Sequence, residues 1–267
     1  PITLSNFTLK TMERMVQWYI NDTYIPQPLI YQHAYTRGRS TDTALSTFVN
    51  EVESMVLRGK KLLAVSLDCS GAFDRIKFKS ACDAMVNYRI DRSIILWYEK
   101  LLRHRNVTVT IKGTSKTIRP TMGSPQGGIL SPLIWNLIMD TLLREFNKSP
   151  VKVVGYADDI LLYVKGTVPS VLQALMQEAL NCVLRWGREH GLSFNPDKTQ
   201  LVLFERNTRG TSEPPLNLGG IPLMYCNDMR YLGIIIDKRL SWNKHINDRL
   251  RVCRFLLNRV KGLIGKD

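Results

Sequence analysis

Two stretches of this sequence bring carboxylates to the ends of apolar runs. In 153–164, VVGYADDILLYV, two apolar runs flank a short turn carrying Asp158 and Asp159; in 62–76, LLAVSLDCSGAFDRI, a buried-looking strand runs into Asp68. The first pattern predicts a hairpin that pushes two acids out at its tip. A carboxylate at the end of an apolar strand costs desolvation unless a cation or solvent compensates it. The expectation is a pair of Mg2+ ions, with Mn2+ as a substitute, bridged by Asp68 and Asp158 and helped by a backbone carbonyl within 66–69. Such a centre stabilises attacking and leaving oxygens in phosphoryl transfer. Asp74 ranks below Asp68 as a ligand, because capping the next helix or pairing with Arg75 would explain it equally well.

Other chemistry-bearing residues fall around these acids. Lys198 lies just ahead of a strand over 201–204, where it could protonate or steady a departing pyrophosphate; a solvent-exposed turn lysine is the plainer reading. Gly123, Gly127 and Gly128 in MGSPQGGILSP permit close backbone approach, and Gln126 sits in the tight part of that loop, forming the floor of a nucleotide pocket. Arg37 and Arg39 flank Gly38 in a turn-rich connector over 26–40, where they would hold a template backbone or a triphosphate or else remain solvated. Between Leu101 and Met139 there are five basic residues, Arg103, Arg105, Lys112, Lys116 and Arg119, and no acid. A half-exposed strand over 107–112 would present part of that charge to phosphates without reading bases.

The elements that must position these groups follow from periodicity. Helices are predicted from Thr8 to Tyr19, from Thr41 or Asp42 to Leu57, from Phe78 to Tyr88, over 94–102, from Pro132 onward, from Thr167 or Ser170 to Gly191, and from His245 to Leu263. Gly219–Gly220 marks a hairpin, 206–215 a loop, and 231–236 a short strand. The last helix carries Arg249, Arg251, Arg254, Arg259 and Lys261 for a duplex backbone. With 37 Lys plus Arg against 23 Asp plus Glu, the +14 balance favours a polyanionic partner. No apolar run approaches the roughly 18 residues of a membrane span. The five scattered cysteines suggest neither zinc nor a disulfide framework.

The stretches PITLSNFTLKTMERMV, QHAYTRGRSTDTAL, LDCSGAFDRI, GSPQGGILSP, GYADDILLY, LSFNPDKTQ and YLGIIIDKRLSWNKHI, in that order, resemble the reverse transcriptase domain of non-LTR (LINE-like) retrotransposons. The resemblance implies an α+β right-hand palm, an antiparallel sheet backed by helices, with partial fingers and the start of a thumb. It divides the chain into partial fingers (1–61), the first catalytic palm strand (62–76), a fingers–palm connection (77–121), palm (122–205), palm–thumb connection (206–240) and thumb start (241–267). It implies RNA-directed DNA synthesis from dNTPs on an RNA template and DNA primer, with metal ligation by Asp68 and Asp158 and primer-end support by Asp159. It also implies sugar gating by Phe73, nucleotide contacts from Gln126 and Gly127, and leaving-group chemistry by Lys198. Other domains of a parent polyprotein, and action in the nucleus or a cytoplasmic ribonucleoprotein, follow from the same resemblance. Ala34 and Tyr35 depart from the family's QHGF. The family's basic fingers hairpin precedes the segment at which this sequence opens, so one alternative is a catalytically incomplete nucleic-acid-binding fragment. Another is an RNA-dependent RNA polymerase.

Overall fold

The computed structural model describes residues 3–25, 29, 31–206 and 214–263, with side chains as far as residue 260. The opening Pro1–Ile2, part of the 26–40 connector and most of the 206–215 loop lie outside the described residues. In chain order come α1 (Phe7–Thr23), α2 (Thr41–Leu57), β1 (Lys61–Ser70), α3 (Ala72–Arg75), α4 (Phe78–Asn87), α5 (Arg92–His104), β2 (Val107–Ile111), β3 (Thr114–Ile118) and α6 (Ser131–Leu143). Then follow β4 (Lys152–Tyr156), β5 (Asp159–Gly166), α7 (Pro169–His190), β6 (Ser193–Phe194), β7 (Gln200–Phe204), β8 (Leu216–Leu218), β9 (Ile221–Leu223), β10 (Asp228–Tyr231), β11 (Ile234–Asp237) and α8 (Asn243–Leu263).

The central sheet is antiparallel in the order β4-β5-β1-β6, with β7 also pairing β1. Strand β1 is its spine. It pairs β5 from Lys61 to Asp68 on one side, and β7 then β6 on the other. Both faces are covered, which explains why an antiparallel strand reads as an unbroken apolar run. Leu63, Val65 and Leu67 belong to the core shared with α4, α6 and α7, whereas Leu62 and Ala64 pack with α2, β10 and β11. Strand alternation therefore places Asp68 on the face of Leu62 and Ala64.

Local sequence explains most element ends. Helix α2 starts at Thr41 as expected, but its cap is Ser40, in a reciprocal capping box with Thr43, rather than Thr41 or Asp42. Its buried Ala44, Leu45, Phe48, Val52 and Met55 form one stripe at helical spacing. Helix α7 opens on Pro169 without a side-chain cap, so neither Thr167 nor Ser170 serves as expected, and it closes on Gly191 at φ 79°.

Two hairpins differ from the sequence reading. The apolar run 231–236 is not one strand: Leu232 (φ 46°) and Gly233 (φ 84°) turn it between β10 and β11. A two-residue turn with both φ values positive suits the right-handed twist of a hairpin, and an apolar Leu232 conceals it. The strand over 107–112 gains an exposed partner, β3, through Lys112 (φ 49°) and Gly113 (φ 82°).

Candidate functional site

The acidic turn is the tip of the β4–β5 hairpin, where Tyr156 pairs with Asp159 and only Ala157 and Asp158 intervene. Ala157 adopts φ 54°, a left-handed conformation that costs an alanine about 1–2 kcal/mol. Long-range hydrogen bonds hold it there. The buried Gln32 accepts through Oε1 from the amides of Ala157 and Ala34, both at 3.1 Å, and donates through Nε2 to the Ala157 carbonyl at 3.4 Å. Trp135 Nε1 on α6 donates to the same carbonyl at 2.9 Å. Its neighbour Asn136 reaches the Ala34 carbonyl at 2.9 Å, so α6 fixes the turn and the connector together. Gly155 completes the clamp, donating to the Tyr31 carbonyl and accepting from the His33 amide, each at 2.8 Å.

The sheet register sets Asp68 directly opposite Asp159. Like charges so placed repel. Burial, then the negative charges of Asp158 and Asp68, push the Asp159 carboxyl up to about 6. Lys198 Nζ lies 3.7 Å from Asp68 Oδ2. The lysine is brought there by Asn195, whose amide donates to the Asp68 carbonyl at 3.0 Å and whose Oδ1 accepts from Asp197 N at 3.0 Å. Both partners remain solvated, so the pair contributes under about 1 kcal/mol.

The expected two-Mg2+ centre, with Mn2+ as its substitute, is corrected by the structure. Among the described residues there is no group of three or more His, Cys, Asp and Glu side chains that could hold a metal ion. In the sheet register Asp159 faces Asp68, while Asp158 belongs to the turn. Lys198 offsets a small part of the Asp68 desolvation, and the raised pKa of Asp159 shows that the cost of its ionisation is not met.

A cavity of about 300 Å³ is lined by Tyr35, Phe73, Gln126, Gly127, Ser131 and Pro132. Phe73 leans on Trp135, ring centroids 5.4 Å apart. Tyr35, at φ 55°, is the exposed part of the cavity wall, and partial desolvation and then the Asp158 charge raise its hydroxyl pKa. The loop forming the far wall is tightly bound. Ser124 N donates to the Phe73 carbonyl and Gly123 N to the Ile76 carbonyl, both at 2.7 Å. Gly123 sits at φ 83°, and a Cβ there would come within 2.7 Å of the Asp74 carbonyl oxygen, so the position admits only glycine.

The structure brings Asp68, Asp158, Asp159 and Lys198 to one end of the sheet, and gathers Phe73, Gln126 and Gly127 in the cavity. Arg37 and Arg39 are not among the residues lining that cavity. Arg39 donates to the carbonyls of Leu29 at 2.7 Å and Gln32 at 2.9 Å, bracing the connector that holds the turn; Arg37 is exposed beside it. Arg105 similarly braces the loop, donating to the carbonyls of Met122 at 3.2 Å and Gly123 at 2.8 Å. Arg103 pairs with Glu99 at 2.8 Å, and both arginines lie over the Phe78 ring. Lys112, Lys116 and Arg119 stand exposed on and beside the β2–β3 hairpin. Arg251 lies 3.3 Å from Asp248, and Arg254 is exposed on α8. Sequence reasoning passed over Gln32, Trp135 and Ser131. A glutamine amid the otherwise apolar and aromatic LIYQHAY was the one available signal for the first.

An antiparallel sheet flanked by helices, with its acids on a hairpin tip, is the architecture of a polymerase palm. Telomerase from Candida tropicalis has it too, at TM-score 0.56 and 14% identity over 90% of this chain and 49% of that one. Telomerase from Candida albicans matches at TM-score 0.54 and 15% identity, over 87% of this chain and 38% of that one. Residues 1–236 match the family described as reverse transcriptase (RNA-dependent DNA polymerase), and the chain belongs to that family. Its relatives are proteins of non-LTR retrotransposons. It is 28% identical to a 115 kDa protein of the type-1 retrotransposable element R1DM of Drosophila melanogaster, over 90% of this chain and 22% of that protein. It is 24% identical to the RNA-directed DNA polymerase of the mobile element jockey of the same fly, over 88% of this chain and 26% of that protein. The chain thus spans about a quarter of the length of these relatives.

Proposed function

We propose that this chain is the nucleotide- and nucleic-acid-holding core of an RNA-directed DNA polymerase of a non-LTR retrotransposon. The observation that carries the reading is the cavity walled by Tyr35, Phe73, Gln126 and Gly127, in a chain that brings Asp68, Asp158, Asp159 and Lys198 to one end of its central sheet. A deoxynucleotide seated there would rest its sugar on Phe73, where a 2′-hydroxyl would meet the ring, and Gln126 would contact the nascent base pair. Lys198 would give a proton to the departing pyrophosphate. Arg103, Arg105, Lys112, Lys116, Arg119, Arg251 and Arg254 supply charge for the phosphates of an RNA template and DNA primer, and Arg37 and Arg39 supply it on the nucleotide side. The division into partial fingers, palm and thumb start, further polyprotein domains, and action in the nucleus belong to the same proposal. Among the described residues, no helix is long and apolar enough to cross a membrane.

Primer extension on an RNA template, with dNTPs or with NTPs, tests this reading. The expected result is extension with dNTPs alone, lost in Asp68→Asn. Phe73→Val should raise ribonucleotide incorporation about 10-fold or more, because a ring that excludes one hydroxyl discriminates by sterics. Equal use of NTPs by the wild type would instead indicate RNA synthesis. A second reading, a nucleic-acid-binding palm that does not turn over by itself, is favoured by the absence of a metal-holding group among the described residues. Tight primer–template binding without extension would establish it in place of the first.

A further inference from the structure

Glu13 is 1% exposed on α1, and its burial raises the carboxyl pKa above the ordinary value despite hydrogen bonds from the amides of Ile129 and Leu130. Its Oε2 accepts from Ile129 N at 3.3 Å, while its Oε1 is buried without a hydrogen-bond partner. Desolvation of the Glu13 carboxylate is destabilising by itself, and its hydrogen bond to the backbone offsets part of that cost. What it holds is the loop 126–130, 116 residues away along the chain. That loop runs into α6, whose first turn has no side-chain cap of its own. A carboxylate from another element therefore stands near the amide end of α6, where negative charge is favourable.

Two further contacts from the same segment reach the same loop. Gln17, one turn after Glu13, donates through Nε2 to the Ile129 carbonyl at 3.3 Å, and Thr3 N donates to the Gln126 carbonyl at 2.6 Å. Glu13 and Gln17 therefore grip the amide and the carbonyl of one residue. From the other side Ser131 Oγ donates to the Pro125 carbonyl and accepts from Ser124 Oγ, both at 2.8 Å. The intervening Gln126 and Gly127 line the cavity, with Gly127 at φ 101°. Glycine adopts that conformation without strain and is free to leave it, so the loop keeps one shape only through the contacts around it.

We infer that Glu13 is a positioning residue for the nucleotide: it sets the Gln126–Gly127 wall of the cavity from α1 without touching the ligand. This rests on the proposed function, which names the cavity's occupant. In Glu13→Ala the loop loses its acceptor, and the wall samples more than one conformation. The nucleotide KM in primer extension should rise about 10-fold, while kcat stays within about twofold and primer–template affinity is unchanged. Glu13→Gln keeps the carbonyl acceptor and the shape and should return KM to within about threefold of the wild type. Amide hydrogen exchange at Ile129 and Leu130 should accelerate in Glu13→Ala and stay slow in Glu13→Gln.

Unchanged exchange in Glu13→Ala, or a loss confined to kcat, would overturn the inference. Should Glu13→Ala fail to fold, Gln17→Ala removes only the second grip on Ile129 and must show the same direction in KM and in exchange. A wild-type chain that neither binds nor incorporates dNTPs overturns the proposed function, and the exchange rates then still decide whether Glu13 holds the loop.

Discussion

Replacing Gln32 with alanine should lower the stability of the fold by about 3–5 kcal/mol, the larger of the two effects expected of single changes near the acidic turn. The buried amide oxygen of Gln32 accepts from Ala34 and from Ala157, and alanine offers neither an acceptor. Each buried N–H left without a partner costs about 1–3 kcal/mol. Water is poorly placed to substitute, because Gln32 is fully buried. The left-handed Ala157 loses part of its restraint at the same time, keeping only the Trp135 indole on its carbonyl. Urea denaturation monitored by tryptophan fluorescence measures the change. A loss below about 1 kcal/mol would show that the turn holds its conformation without the clamp. The same variant should slow primer extension, since Asp158 and Asp159 depend on the turn for their position.

The second expectation has the opposite sign. Asp159→Asn should stabilise the protein at pH 7.5 by about 1–2 kcal/mol and leave it unchanged near pH 4. The native carboxyl titrates at about 6 against an ordinary 3.8, because burial comes first and the Asp158 and Asp68 charges add to it. Below pH 3.8 folded and unfolded chains both carry the proton, so the residue contributes nothing. Between 3.8 and 6 the folded chain binds more protons than the unfolded one, and stability falls as pH rises. Above 6 the full penalty of an ionised Asp159 is present, and asparagine removes it. Two pH units would correspond to about 3 kcal/mol, and solvent screening of a half-buried carboxyl reduces that. Denaturant midpoints of both forms at the two pH values decide the matter; an equal gain at both would point to packing rather than charge. Conflict of this kind between stability and position is typical of a functional site.

These two residues show which parts of the site could be read without coordinates. Asp159 was recognisable because an acid doublet between apolar runs has few reasons to exist apart from a hairpin tip, and the hairpin forms as expected. Phe73, Gln126 and Gly127 were likewise marked by sequence, and they do meet in one cavity. The role of Gln32 was not marked, because its partner Ala157 lies 125 positions away and shares no pattern with it. Arg39 and Arg105 were read as charge offered to phosphates, yet both guanidiniums also donate to backbone carbonyls of the loops that frame the site. Composition cannot distinguish a solvated arginine from a bracing one.

By itself the sequence determined most of the helices, the central apolar strands, the position of the acid turn and, through the order of its motifs, the resemblance that implied the α+β class and the reverse transcriptase family. The elements and the turn are encoded by neighbours within a few turns of chain, where hydrophobic period and glycines act locally; the class and the family came from the resemblance of the motifs. Only the tertiary structure decided how the acids face one another. It set Asp159 rather than Asp158 against Asp68, brought Lys198 to within 3.7 Å of Asp68, and left the described residues without a metal-holding group. The long-range hydrogen bonds of Glu13 and Gln32 join segments more than a hundred residues apart, and the register that sets Asp68 against Asp159 joins two strands well separated in the chain. Those contacts are chosen by how the two sheet faces pack, and no local pattern carries them.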